Sequence, residues 1–250
     1  MDTTLLKGLD VLEALAARAE PCGVTELAQE LGLVKSNVHR VLQTLAHRGY
    51  VRKDERSGRY ACTLKVWELG ASVVDRLDVR PAARPAVEAL ATRTAETVHL
   101  SVLDGAEVIY IDKVDSPHPV RAYSRIGGRA PAYCVATGKA LLAHAPEAFV
   151  AEIPLKKYTA RTITDPEALR KELRRVREAG YAINRGEWRG SVGGLAAAVL
   201  DPQRGAVAAI GISGPVERLS PQRLRELAPL VVKAARETAR ALGLHGRVTA

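Results

Sequence analysis

The amino-acid sequence predicts an α+β protein in two parts, and three observations carry that prediction. Three short amphipathic helices and a basic β-hairpin fill roughly the first sixty residues. One more apolar-striped segment follows, and hairpin-forming runs then alternate with capped helices along the rest of the 250 residues. The expected boundaries are 1–62 for a winged helix-turn-helix domain, 63–78 for a linker helix and 79–250 for a larger domain. With 47% apolar residues, each part can fill a core of its own.

The elements justify themselves in order. "LLKGLDVLEALAAR" sets Leu5, Leu9, Leu12 and Ala16 on one helical stripe. "VTELAQELGL" offers Thr25 as an N-cap, puts Glu26 in the first turn, buries Leu27 and Leu31, and stops at Gly32. Between Gly32 and Lys35 there is room only for a tight turn. The next helix, within "KSNVHRVLQTLAHRGYV" (35–51), repeats apolar residues at Val38, Val41, Leu42 and Leu45, while Ser36, Arg40, Gln43 and His47 point the other way. Two β-prone runs, Tyr50–Lys53 and Arg59–Cys62, then flank a polar turn at Gly58, a wing with Arg56 and Arg59 near its tip.

Charge is segregated along this part. Residues 1–34 carry two bases against six acids, and residues 35–59 carry seven bases against two acids, so the positive side begins with the third helix. That helix needs its apolar stripe for docking, which leaves Arg40 for guanine O6/N7 and Gln43 for adenine N6/N7 in a major groove. Lys35, Ser36, Asn37 and the wing arginines Arg56 and Arg59 suit phosphates, and His39 and Thr44 belong to the same candidate DNA-binding set. A solvated helix face in a protein-interaction module is the plainer alternative; the tight turn, the charge segregation and the basic hairpin together favour double-stranded DNA.

"LKVWELGASVVDRLDVRP" places Leu64, Trp67, Ala71 and Val74 on a stripe away from Glu68, Asp75 and Arg76. Two readings stand: a helix resting on its own domain, or one that pairs with a second copy. Asp78 and Pro81 then punctuate another helix. Beyond it, "VHLSVLDGAEVIYIDKV" is a hairpin about Asp104-Gly105, and "PVRAYS" is a further short strand. "VATGKALLAHAP" is a Gly-containing turn running into a helix, and Thr164 with Glu167 forms a capping box for a helix ending near Gly180. "GLAAAVLDPQRGAVAAIGIS" gives two strands about an Asp-Pro…Gly turn, and Ser220-Pro221 opens a last helix that Gly243 closes. Strands in hairpins with helices on one side complete the α+β pattern.

Chemistry is excluded more firmly than it is indicated. "ATGK" fails as a phosphate loop at Tyr133 and Ala140, "GISGP" is not a nucleophile elbow, and no His-Glu-x-x-His occurs. Cys22, Cys62 and Cys134 lack metal-ligand spacing. His99 on its strand reads as a packed or edge histidine. No catalytic residue, metal site or cofactor is expected. The lack of a signal peptide or an apolar run of membrane-spanning length leads us to expect a soluble cytoplasmic protein with no membrane partner. Gly-rich turns at "GGRAP", "VATGKA", "SVGGLAA" and "GISGP" either only make turns or let amides near Ala136–Gly138 approach a carboxylate, with Ser213 supplying a hydroxyl.

The whole arrangement resembles the IclR family of bacterial transcription regulators over nearly its full length. "VTELAQELGLVKSNVHRVLQTLAHRGYV" is similar to that family's DNA-binding domain, and "RAPAYCVATGKALLA" and "AAIGISGP" are similar to two stretches of its effector domain. The resemblance implies a PAS/GAF-like effector-binding and oligomerisation domain, a homodimer or dimer of dimers, and a small-molecule effector. "VDSPHPVRAYSRIG" with "ARTITDPEALRKELRRVREAGYA" is similar to the branch controlling sugar-acid breakdown, which implies a repressor of catabolic genes released by a small carboxylate such as a keto-sugar acid. Carried over, the effector-binding positions fall on Ala136, Thr137, Gly138, Asn184, Gly194, Gly211 and Ser213. Asn184 stands for a frequent acid, Gly194 for a frequent cysteine and Gly211 for a frequent serine, so a roomier pocket is expected. The alternatives are a DNA-binding protein with no effector, and an enzyme with a DNA-binding appendage, which would need a nucleophile–base pair.

Overall fold

The computed structural model describes residues 3–74 and 78–243, which fall into two compact units, 1–76 and 77–250. In the first unit three helices, α1 (Thr3–Ala16), α2 (Val24–Leu31) and α3 (Lys35–His47), precede a two-stranded antiparallel hairpin, β1 (Val51–Lys53) and β2 (Tyr60–Cys62), and a further helix, α4 (Leu64–Val74). Their core gathers Val11, Leu15, Leu27, Val38, Leu42, Val51 and Tyr60. α3 therefore docks with the stripe its periodicity predicts.

Two local expectations give way here. α1 buries Val11 and Leu15, whereas Leu5 and Leu9 of the expected stripe are exposed. A helix this rich in Leu and Ala has two apolar edges, and the tertiary partner chooses between them. α2 starts two residues earlier than expected, with Gly23 rather than Thr25 at the N-cap. Cys22, just before it, is pinned by a two-way backbone pairing with Tyr60. Gly32 closes α2 in the left-handed conformation (φ 63°) that makes the tight turn possible. On α4, Leu64 and Trp67 are exposed; Asp75, Arg76 and the side chain of Val74 lie outside the described residues.

The second unit is a six-stranded antiparallel sheet with strand order β5-β4-β3-β8-β7-β6. Its strands are β3 (Thr97–Asp104), β4 (Glu107–Val114), β5 (Arg129–Pro131), β6 (Ala182–Arg185), β7 (Val192–Asp201) and β8 (Gly205–Pro215). Helices α5 (Val79–Thr94) and α9 (Pro221–Ala241) cover one face with Leu90, Val98, Leu195, Ile210 and Val231. A 3-10 turn (Ala132–Cys134) and helices α6 (Ala136–Leu142), α7 (Glu147–Ala151) and α8 (Pro166–Ala179) cover the other with Val108, Leu141, Leu169, Leu173 and Ala196. Helices thus lie on both faces, not on one as expected. The unbroken apolar runs "LAAAV" and "AVAAI" of the central strands are the physical reason, since a one-sided sheet would alternate with polar residues.

Three further corrections concern this unit. "PVRAYS" forms no strand; it belongs to an irregular segment, 115–128, and the edge strand is Arg129–Pro131. α8 is capped by Asp165, whose carboxylate accepts from Ala168 N at 2.7 Å, not by Thr164. Pro166 at the first helical position fixes that start. Gly138 lies inside α6 rather than in a turn, with its Cα against the Ala132 backbone, where a methyl group would have no room. Among the described residues no helix is long and apolar enough to cross a membrane.

Candidate functional site

The first candidate surface is the outer face of α3. Lys35, Ser36, His39, Arg40, Gln43, Thr44 and His47 are exposed, and Asn37 is half-buried. Arg40 reaches back to Asn37 Oδ1 at 3.4 Å, a long contact that holds the guanidinium on this face without consuming it. Thr44 Oγ1 donates to the carbonyl of Arg40 at 3.0 Å, so the threonine is left as an acceptor only. Val34 caps α3 without a side-chain hydrogen bond, which leaves the first amides open to an outside acceptor. The far end is clamped: Lys65 Nζ donates to Arg48 O at 2.6 Å and sits 4.9 Å from the Tyr50 ring centroid, and Thr63 Oγ1 donates to Gly49 O at 2.5 Å.

The wing is organised by one aspartate. Asp54 accepts from the Arg56 amide at 2.9 Å and from Ser57 Oγ at 2.7 Å, and its carbonyl accepts from Gly58 N at 2.7 Å. The Ser57 hydroxyl, then the Arg56 amide, hold the Asp54 carboxyl below its ordinary range. Arg52, Lys53 and Arg56 are left exposed on the hairpin. Arg59 is not: its Nη2 pairs with Glu26 at 2.7 Å and its Nε donates to Pro21 O at 2.9 Å. Arg59, just before β2, is turned back onto α2, where the acid of that helix pairs with its guanidinium and competes with the expected phosphate contact.

The second candidate is a cavity of about 260 Å³ on the α6 face of the sheet. The strand register explains why its residues meet. Asn184, Gly194, Ser213 and Thr97 form one rung across β6, β7, β8 and β3, and Ala182, Ala196, Gly211 and His99 form another, all on one face of the pleat. Ala136, Thr137, Asn184, Gly194, Gly211 and Ser213 all line the cavity, and Gly138 does not. The expectation of extra room fails at Gly211. A methyl there would meet Ala196 Cβ at 2.7 Å, Leu195 O at 2.8 Å and Thr137 Cγ2 at 2.9 Å, so the glycine accommodates close packing of α6, not ligand. At Gly194 the nearest atoms to such a methyl are Ile212 O at 3.0 Å, Ala136 Cβ at 3.6 Å and Ser213 Cβ at 3.9 Å, so a side chain there would fill cavity space.

Several lining residues escaped the sequence reading: His99, Tyr110, Ser124, Arg125, Trp188 and Arg189. His99 is buried on β3, its Nε2 is 2.9 Å from Ser213 Oγ and 3.5 Å from Ser124 Oγ, and its ring lies 4.7 Å from that of Tyr110. Burial, then the charge of Lys113, push its pKa down to about 4 against a smaller opposite pull from Asp115, so the imidazole is neutral near pH 7. Ser124 comes from segment 115–128, which is tied down where Lys113 Nζ donates to Ser124 O at 2.8 Å and Arg218 donates to Val120 O at 3.1 and 3.2 Å. Arg218 is in turn held by the buried carboxylate of Glu96, with Nη2 2.7 Å from Oε2. Arg189 stacks on Trp188 at 4.4 Å. The lysine of "ATGK", Lys139, is not in the cavity. It is buried beneath it, 2.9 Å from Glu187 Oε1 and 3.2 Å from Glu172 Oε1.

The comparisons with known proteins decide what this pairing of a winged domain and a cavity domain is. The IclR helix-turn-helix domain family matches residues 4–55, and the family described as bacterial transcriptional regulator IclR, C-terminal, matches residues 71–240. The chain belongs to the IclR family. It is similar to the HTH-type transcriptional regulator KdgR of Escherichia coli, at 38% identity over 97% of this chain and 94% of that one. It is also similar to the transcriptional repressor IclR of the same organism, at 34% identity over 96% and 90%. The crystal structure of Thermotoga maritima IclR matches with a TM-score of 0.82 at 30% identity, covering 96% and 98%. An IclR homologue of Microbacterium hydrocarbonoxydans, crystallised with 4-hydroxybenzoate, matches with a TM-score of 0.83 at 25% identity over 97% and 100%. This IclR-family protein is a DNA-binding transcription regulator and not an enzyme. Ser213 and His99 do make the hydroxyl–imidazole contact an enzyme reading would need. Yet His99 Nδ1 has no hydrogen-bond partner among the described residues, so no acid orients the ring as a catalytic triad requires.

Proposed function

We propose that this regulator is a repressor, homodimeric or a dimer of dimers, released from a pseudo-palindromic operator by a small carboxylate, with a keto-sugar acid as the first choice. One observation carries the reading: six of the seven effector positions expected from the family resemblance line a single cavity, joined there by two serine hydroxyls, Ser124 and Ser213, and two exposed arginines, Arg125 and Arg189. On the DNA side, Arg40 reads guanine and Gln43 adenine, each worth about 1–3 kcal/mol of discrimination. Lys35, Ser36, Asn37 and Arg56 engage phosphates, and His39 and Thr44 border them. The exposed Leu64 and Trp67 of α4 support pairing with a second copy, which sets two recognition helices one turn of duplex apart. Ligand acts by binding one arrangement of that assembly better than another.

An aromatic acid is the second reading, favoured by the Tyr110, Tyr123 and Trp188 side chains that also line the cavity. A thermal-shift screen of sugar acids against aromatic acids tests both. A bound effector at a hundredfold excess over its Kd stabilises the protein by about 2.7 kcal/mol. The acid that raises Tm should also release the protein from its operator in a gel-shift titration. A screen in which no acid does either removes the effector reading in favour of a ligand-free DNA-binding protein.

A further inference from the structure

His99 is a cavity residue that neither the sequence reading nor the family resemblance assigns to effector binding, and its surroundings give it a definite task. The side chain is 4% exposed and spans two hydroxyls that come from separate parts of the unit, Ser213 on β8 and Ser124 on segment 115–128. Both contacts are made by the same nitrogen, Nε2. The other, Nδ1, is buried with no partner among the described residues. This asymmetry selects the tautomer. A proton on Nδ1 would be a buried donor with nothing to meet, whereas a bare Nδ1 is an under-satisfied acceptor, and buried orphan N–H groups are the rarer and costlier of the two. The proton therefore sits on Nε2 and is donated to Ser213 Oγ, with Ser124 Oγ at the longer end of the same donation.

A consequence follows for the two hydroxyls. Each has its oxygen engaged as an acceptor, and His99 is the hydrogen-bond partner of each among the described residues. Their own protons are left to turn towards the cavity that both residues line. We propose that His99 is a positioning residue that fixes Ser213, and with it Ser124, as hydrogen-bond donors, so that this end of the cavity favours a bare oxygen, a carboxylate or a keto group, over an amide nitrogen or any other pure donor. The neutral state of the ring fits this role, because an imidazolium would act as a counter-ion with no need of the serines. The inference rests on the effector reading above and adds to it which atom of the ligand faces Ser213, and why.

The test has one arm that needs no ligand. In the full-length protein labelled with 15N-histidine, the nitrogen shifts of His99 should report a neutral ring protonated at Nε2 between pH 6 and 8; protonation at Nδ1 overturns the assignment. The second arm is calorimetry with 2-oxogluconate, a keto-sugar acid, and with its amide as the donor-bearing control. His99→Phe should weaken 2-oxogluconate at least tenfold and narrow its advantage over the amide, while His99→Gln, whose side-chain N–H can still donate to Ser213, should recover most of the affinity. Ser213→Ala should lose a similar factor, and the double variant His99→Phe with Ser213→Ala should lose little more than either alone. Additive losses, or a His99→Gln protein no better than His99→Phe, overturn the proposal. If wild-type protein does not bind 2-oxogluconate at all, the keto-sugar-acid reading falls, and the labelled imidazole still decides the role of His99.

Discussion

Lys139→Met removes one buried cation and should be among the most damaging single changes in the effector unit. Lys139 is 1% exposed, with Nζ 2.9 Å from Glu187 and 3.2 Å from Glu172, so it joins α6 to α8 and to the segment after β6. Methionine keeps the length of the side chain and removes its charge. Glu187 is then left buried with a carboxylate neighbour, and its Oε2 already lacks a partner among the described residues. Breaking a buried pair by deleting one member costs about 3–5 kcal/mol. In a domain of this size each kcal/mol moves Tm by about 2–4 °C, so the effector-domain transition should fall by about 6–20 °C.

The pH dependence has a definite sign. Burial raises the Glu187 pKa above its ordinary value even with Lys139 beside it, and without Lys139 it must rise further. The folded variant then binds more protons than the unfolded chain, so its deficit should grow as pH rises above the ordinary carboxylate value of 4.5 and shrink towards it. Calorimetric melts of wild type, Lys139→Met and Lys139→Met with Glu187→Gln, taken at pH 5 and pH 8, check all of this. The double variant should regain most of the loss, since the amide needs no counter-charge. A Lys139→Met protein that melts with wild type at pH 8, or whose deficit is the same at both pH values and untouched by Glu187→Gln, refutes the reasoning.

Two more outcomes follow from the geometry. Gly211→Ser should destabilise the effector domain by about 1–3 kcal/mol in urea unfolding, because the added atoms meet Ala196, Leu195 O and Thr137 within 2.9 Å; a neutral result would mean that α6 shifts freely. Arg56→Ala should lower the slope of log affinity against log salt by about one, while Arg59→Ala, whose guanidinium is occupied by Glu26 and Pro21, should leave that slope unchanged and lower the Tm of the winged unit. Equal slope changes in the two variants would return Arg59 to the phosphate set.

What the sequence made legible was local periodicity and local punctuation. Val38, Val41, Leu42 and Leu45 recur at helical spacing, and the face they leave is the face the structure exposes. The turns at Gly32, Gly58, Gly105 and Gly180 mark where chain reversals and helix ends occur, all with positive φ. The failures share a cause. His99 meets Ser213 because β3 pairs with β8 across 114 residues, and no spacing along the chain announces such a neighbour. Arg59 is a wing arginine by position, but Glu26, far away in sequence, claims its charge. α1 had two defensible apolar edges, and only packing against α3 chooses Val11 and Leu15 over Leu5 and Leu9. At Gly211 a small residue looked like cavity space, whereas Thr137 from α6 already fills it.

The central claim is that α3 is anchored by its aliphatic stripe and offers Arg40 and Gln43 to base edges. Its most direct test is a footprint on operator DNA, selected from genomic fragments by the wild-type protein and then probed with Arg40→Ala at low and moderate salt. The variant should lose the protected boundaries and bind operator and random duplex alike, while keeping a steep decline of affinity with salt. An unaltered footprint, with operator preference within twofold of wild type, would place sequence reading elsewhere on the molecule.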